Sequence, residues 1–132
     1  MKQYFFIISI VCAVGFFRSE MTISQEFAGR PLNGDSVVIG ALDKITGRVQ
    51  EFPLRVGDVG KFYSLHIHVL KCQFNPPEKR PENSAFLKIF EDSEDKGFDK
   101  KIFQGWMFSS SPALSAIDHP VYDVWVVKCN KD

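Results

Sequence analysis

Residues 62–72 read as the clearest strand, with strict alternation from residue 63 to 69. Tyr63, Leu65, Ile67 and Val69 point one way, and Ser64, His66 and His68 point the other. A two-residue period is the signature of a half-buried β-strand, because successive side chains leave opposite faces of a pleated backbone. The same period recurs in short segments along the chain, separated by turn residues every ten to fifteen positions. Residues 37–42 and 48–56 form a hairpin around Asp43-Lys44-Ile45-Thr46-Gly47, with Gly47 able to take a positive φ. Pro53 marks the second of these as an edge strand, since proline cannot donate to a ladder. Ala85, Leu87 and Ile89 alternate with Phe86, Lys88 and Phe90, while residues 102–108 and 121–129 give the last two strands. Three prolines bar residues 75–82 from a sheet interior, so that stretch is an exposed loop. No helical period is sustained, apart from one turn over residues 113–117. The reading is all-β: a small antiparallel β-sandwich or open barrel of about seven strands.

The N-terminus has a different character. Lys2 precedes a largely apolar run from residue 4 to 17 that ends at Arg18. Fourteen residues suit the apolar region of a signal peptide and fall short of the ~17 needed to span a bilayer. Residues 1–24 are therefore read as an export signal, 25–36 as a linker and 37–132 as one domain. The cleavage site stays open between Ala13/Gly15 and Thr22/Ser24, and the segment can also stay attached as a short anchor. Cys12 sits too early, behind a poor lipobox (Ser9, Ile10, Val11), to suggest lipidation. With Cys12 removed, Cys72 and Cys129 remain. An even pair in the periplasm, an oxidising compartment, is expected to be bridged.

With 16 basic and 16 acidic residues the chain has no net charge and no global attraction for nucleic acid. Four constellations invite chemistry. His66 and His68 share a strand face and would need His119 to complete a metal site, the basis of a small hydrolase or metal-dependent enzyme. Ser109-Ser110-Ser111 near Asp118 and His119 lacks the nucleophile elbow of a serine hydrolase. Asp92 to Gly97 fails as a calcium loop, with Lys96 at the fifth position and Phe103 at the twelfth. No catalytic residue, cofactor or metal is therefore assigned. The fourth constellation is aromatic: Trp106 and Phe108, then Tyr122 and Trp125, bracket a loop of small residues. Exposed rings beside Ser110 would make a platform for a sugar or a partner protein. Alternatively, the rings fill the core against the disulfide. Trp125, on a face with Val127 and Cys129, is expected in the core, and Trp106 or Tyr122 at least partly exposed.

Four blocks carry a family resemblance: Ala41-Leu42-Asp43-Lys44-Ile45-Thr46-Gly47, Pro76-Pro77-Glu78, Gly105-Trp106-Met107-Phe108-Ser109-Ser110-Ser111-Pro112, and His119-Pro120-Val121-Tyr122-Asp123-Val124-Trp125. Together they resemble an uncharacterised alphaproteobacterial family catalogued as domain of unknown function 2155, over roughly residues 39–129. The resemblance implies exported proteins with paired cysteines and brings no activity. It also carries a loose association with genes for an accessory subunit of respiratory complex I. The expectation is a periplasmic binding or structural module that engages an envelope or inner-membrane protein, or a glycan, through the Trp106–Trp125 region.

A phosphatase fused after Ser36 is expected to be active outside the cytoplasm, and deletion of the residues before Arg18 to abolish that activity. Activity that survives the deletion would show that the segment is not the export signal.

Overall fold

The computed structural model describes residues 29–93 and 100–132. The segment read as an export signal and most of the charged turn before residue 100 lie outside the described residues. The strands are β1 (Leu32–Asn33), β2 (Ser36–Asp43), β3 (Arg48–Arg55), β4 (Val59–Phe62), β5 (Leu65–Phe74), β6 (Asn83–Glu91), β7 (Lys100–Phe108) and β8 (Tyr122–Asn130). One sheet runs β1-β5-β6-β7, with β4 also on β5; the other runs β3-β2-β8. Every pairing is antiparallel. The result is a two-layer β-sandwich, as the two-residue period requires. A single 3-10 turn, Pro112–Ser115, interrupts the connection from β7 to β8.

The core is the space between the inner faces. Leu65, Ile67 and Val69 of β5 and Ala85, Leu87 and Ile89 of β6 face Val37, Ile39 and Ala41 of β2 and Val124 and Val126 of β8, all essentially inaccessible to solvent. Burying a side chain of this size contributes about 1.5–3 kcal/mol. β3 lies at a sheet edge, where the missing donor of Pro53 is tolerated. The expected strand over residues 62–72 divides in two. Phe62 pairs with Leu65 across a tight turn at Tyr63 and Ser64, and Tyr63 takes a φ of 51°. Its ring stacks on Tyr122 at 5.5 Å and meets Phe62 edge-on at 4.8 Å, contacts that hold this uncommon backbone conformation.

Two single-residue bulges decide where the cysteines point. In β5 the register against β6 slips between Val69 and Lys71, so Leu70 and Lys71 both face solvent and Cys72 returns to the core. In β8 the register against β2 slips between Val126 and Lys128, and Cys129 turns inward in the same way. Each bulge inserts one unpaired residue and reverses the alternation beyond it. Cys72 and Cys129 then form a disulfide between the two sheets, with Cα atoms 5.9 Å apart and a sequence separation of 57. A closed loop of that length stabilises the fold by about 4 kcal/mol in the chain-entropy model. The folded unit also takes in the last residues of the stretch read as linker: Gly34 N–H donates to Cys72 O, and Asp35 N–H to Asn130 O, both at 2.8 Å.

The second bulge overturns the expected place of Trp125. Strict alternation puts Trp125 with Cys129; the bulge separates them. Trp125 pairs with Gly40 on the outer face of the three-stranded sheet, where any β-carbon at Gly40 would overlap the indole. The ring is half-buried over that notch rather than in the core.

Trp125→Ala is expected to lower the unfolding free energy by about 1–2 kcal/mol in a urea melt. A loss in the ~3–5 kcal/mol range typical of a buried aromatic would place the ring in the core after all.

Candidate functional site

The two ends of the sandwich carry polar clusters of different kinds. At one end the proline-containing loop terminates in Glu82, just ahead of β6. Its Oε1 accepts hydrogen bonds from the N–H of Asn83 (3.1 Å), the hydroxyl of Ser109 (3.2 Å) and the N–H of Ser110 (3.1 Å). Its Oε2 accepts from the Ser110 hydroxyl. Burial opposes ionisation here. The bonds from Ser110, Ser109 and Asn83 outweigh it and hold the Glu82 carboxyl below its ordinary value. Asn83 extends the cluster to the disulfide, because its Oδ1 accepts from the N–H of Cys129 at 3.0 Å.

Beside Glu82 lies a groove of about 250 Å³ on the outer surface of the five-stranded sheet. Trp106 and Phe108 supply its aromatic surfaces, with Gln73, Ser84 and Glu82 beside them and Pro31, Phe74 and Asn75 completing it. Sheet register explains the grouping. Gln73 pairs with Ser84 and Ser84 with Phe108, so all three project outward from one row; Phe86 and Trp106 occupy the adjacent row. The Phe86 edge meets Trp106 at 5.5 Å and fixes its plane. A second hollow, lined by Arg80, Pro81, Ser110 and Ser111, continues from the groove and shares Asn75 and Glu82 with it.

At the opposite end His119 is buried. Its Nδ1 accepts the N–H groups of Val121 (3.1 Å) and Tyr122 (3.0 Å), which puts the proton on Nε2, donated to Glu91 at 2.7 Å. Tyr122 stacks on the imidazole at 5.0 Å, and Tyr63 stacks on Tyr122. His119 thus fastens the start of β8 to the end of β6.

Among the residues singled out from sequence, Trp106 and Phe108 meet in the groove, and Ser110 stands in the adjoining hollow. Tyr122 does not join them; it lies at the other end of β8. Trp106 and Trp125 occupy the outer faces of opposite sheets, so the expected Trp106–Trp125 region is not one surface. The three-histidine site does not assemble either. His66 and His68 lie on the outer face of β5, whereas Glu91, the partner of His119, pairs with Leu65 and faces inward. His66 instead contacts Asp92 at 2.5 Å, and chiefly that bond, aided by Lys61, lowers the Asp92 carboxyl. Among the described residues no group of three or more His, Cys, Asp and Glu side chains is placed to hold a metal. Sequence reasoning missed Glu82, Ser84 and Gln73, which are ordinary polar residues until the register gathers them. The run Pro81-Glu82-Asn83 ahead of a strand was the only trace.

Comparisons with known proteins agree on kinship and are silent on activity. A family model described as "Uncharacterized protein conserved in bacteria (DUF2155)" matches residues 37–129. An uncharacterised protein of Rickettsia prowazekii, RP359, is 35% identical over 89 residues. The aligned region takes in 67% of this chain and spans 57% of the length of that relative. No solved structure matches the chain.

Glu82→Gln is expected to cost roughly 1–2 kcal/mol at pH 7, since it removes charge from several hydrogen bonds at once. The folded-state carboxyl lies below its ordinary value of 4.5, so its stabilisation is complete above that pH and is lost as pH falls through the folded value. The gap between parent and variant urea midpoints should therefore narrow below about pH 4.5. A gap that stays constant into acid would exclude the ionised Glu82 as its source.

Proposed function

The chain belongs to the DUF2155 family of uncharacterised proteins conserved in bacteria, and on that premise we propose that it is a periplasmic binding module that engages an envelope component, a protein or a glycan. The groove at Trp106 and Phe108 carries the reading. Half-exposed rings on a rigid sheet face, beside unspent polar groups, are what a recognition surface needs. The export-like N-terminus and the disulfide support the address, because structural disulfides persist in oxidising compartments.

The competing reading, a small hydrolase or metal-dependent enzyme built on His66, His68 and His119, finds no support in the geometry. Both nitrogens of His119 are committed to backbone and carboxylate partners. Ser110 is bonded to Glu82, and a carboxylate held below its ordinary range is a weak base.

Pull-down from envelope extract separates a binding face from a packing role. Trp106→Ala and Phe108→Ala should unfold near the parent denaturant midpoint and lose the captured component, while Trp125→Ala, altered on the opposite face, should keep it. Capture unaffected by both groove variants would remove the groove as the binding site.

A further inference from the structure

We propose that the groove between Trp106 and Glu82 is a subsite for one ring of a neutral glycan chain. This rests on the reading of the protein as a binding module and narrows its ligand to a saccharide. A pyranose ring presents a weakly polar C–H face and a rim of hydroxyls. It is recognised by flat aromatic surfaces below and by amide, hydroxyl and carboxylate groups at the edge. The groove offers both sets: Trp106 and Phe108 as surfaces, and Ser84, Gln73 and Glu82 as edge groups.

Its size limits what can enter. At about 250 Å³ it lies below the ~300–1,000 Å³ of sites that enclose a whole drug-sized molecule, which suits a single ring. The hollow that shares Asn75 and Glu82 with it extends the track past Ser110 and Ser111, so a linked chain can continue beyond that ring.

Charge narrows the class further. Among the described residues Glu82 is the one ionisable side chain that lines the groove itself, while Arg80 lines the adjoining hollow. A phosphate or uronate seated in the groove itself would meet a carboxylate with no cation among the lining residues, whereas neutral hydroxyls and N–H groups find an acceptor.

The polar groups also have capacity left. Ser84 makes no side-chain hydrogen bond among the described residues, while Oε2 of Glu82 has a single partner, Ser110. A carboxylate oxygen accepts two hydrogen bonds, so one direction stays available. Most of the groove rests on paired strands β5, β6 and β7 and is formed before any ligand arrives, which lowers the ordering cost of binding.

The protein has two tryptophans on opposite faces, so its two indole N–H resonances report the site and an internal control. The chain, produced with its own N-terminal segment and labelled with nitrogen-15, is titrated separately with chitotetraose, cellotetraose and a polyproline peptide. The expected result is a saturable shift of the Trp106 resonance with a saccharide and none at Trp125. Ser84→Ala should weaken that affinity roughly fivefold to tenfold, the loss of one net hydrogen bond. No Trp106 shift with either saccharide, or equal shifts at both indoles, overturns the saccharide assignment. A Trp106 shift with the peptide alone also overturns it and makes the groove a peptide site, leaving the binding-module reading intact. That broader reading falls only if envelope capture is also indifferent to Trp106→Ala.

Discussion

The disulfide between Cys72 and Cys129 depends on two bulges that face each other across the sandwich. Without the slip in β5, Cys72 would emerge beside His66 and His68; without the slip in β8, Cys129 would emerge beside Trp125. Both strands must break their alternation for the sulfur atoms to meet. The bridge then selects this pair of registers over the unslipped alternatives, which leave both thiols facing solvent on opposite sides of the molecule. Asn83 reinforces the choice from β6, since its side chain accepts the Cys129 N–H next to the bulge.

The opposite end of β8 is fixed without covalent chemistry. His119, locked in one tautomer, spans from the backbone of Val121 and Tyr122 to Glu91 on β6. Tyr122 and Tyr63 cover it. β8 is thereby tied to the five-stranded sheet at both ends, by a disulfide at one and a histidine–carboxylate pair at the other. The remaining polar cluster, around Glu82, reaches the second sheet only through Asn83, which accepts the Cys129 N–H. It orders the loop after β7 against the loop before β6, and so shapes the border of the groove.

Much of this was legible in the sequence wherever the period of two was unbroken. The β2–β3 hairpin, β6 and the proline-rich loop follow from alternation and turn chemistry alone, and the resemblance in four blocks matches the family now shown. Alternation failed at Leu70 and Val127, because a bulge inserts a residue with no side-chain signature of its own. Either residue is equally at home in a regular strand. The slip at Val127 is what takes Trp125 away from Cys129 and out of the core. His66 and His68 do share a face, as the period of two requires, but no local pattern in the sequence could say on which side of the sandwich His119 lies. Trp106, Phe108 and Ser110 were legible as a cluster because they are close in sequence on one strand and its loop. Glu82 and Ser84 were not, since they arrive by pairing from β6.

The two tryptophans invite the same functional reading from sequence, and their surroundings separate them. Trp125 lies over Gly40, where absence of a β-carbon makes the notch that receives its ring. Its main contact is already made within the sheet, so burying it further against a ligand would gain little apolar area. Trp106 has an edge contact with Phe86, which orients the ring without covering it, and its neighbours in the groove include a hydroxyl with no hydrogen bond and a carboxylate oxygen with one, among the described residues. Unsatisfied capacity next to an oriented, half-exposed ring costs nothing while water fills it, and becomes binding energy only when a ligand brings matching donors. That asymmetry is why the proposed recognition is assigned to the five-stranded sheet, with Trp125 in a packing role on the other.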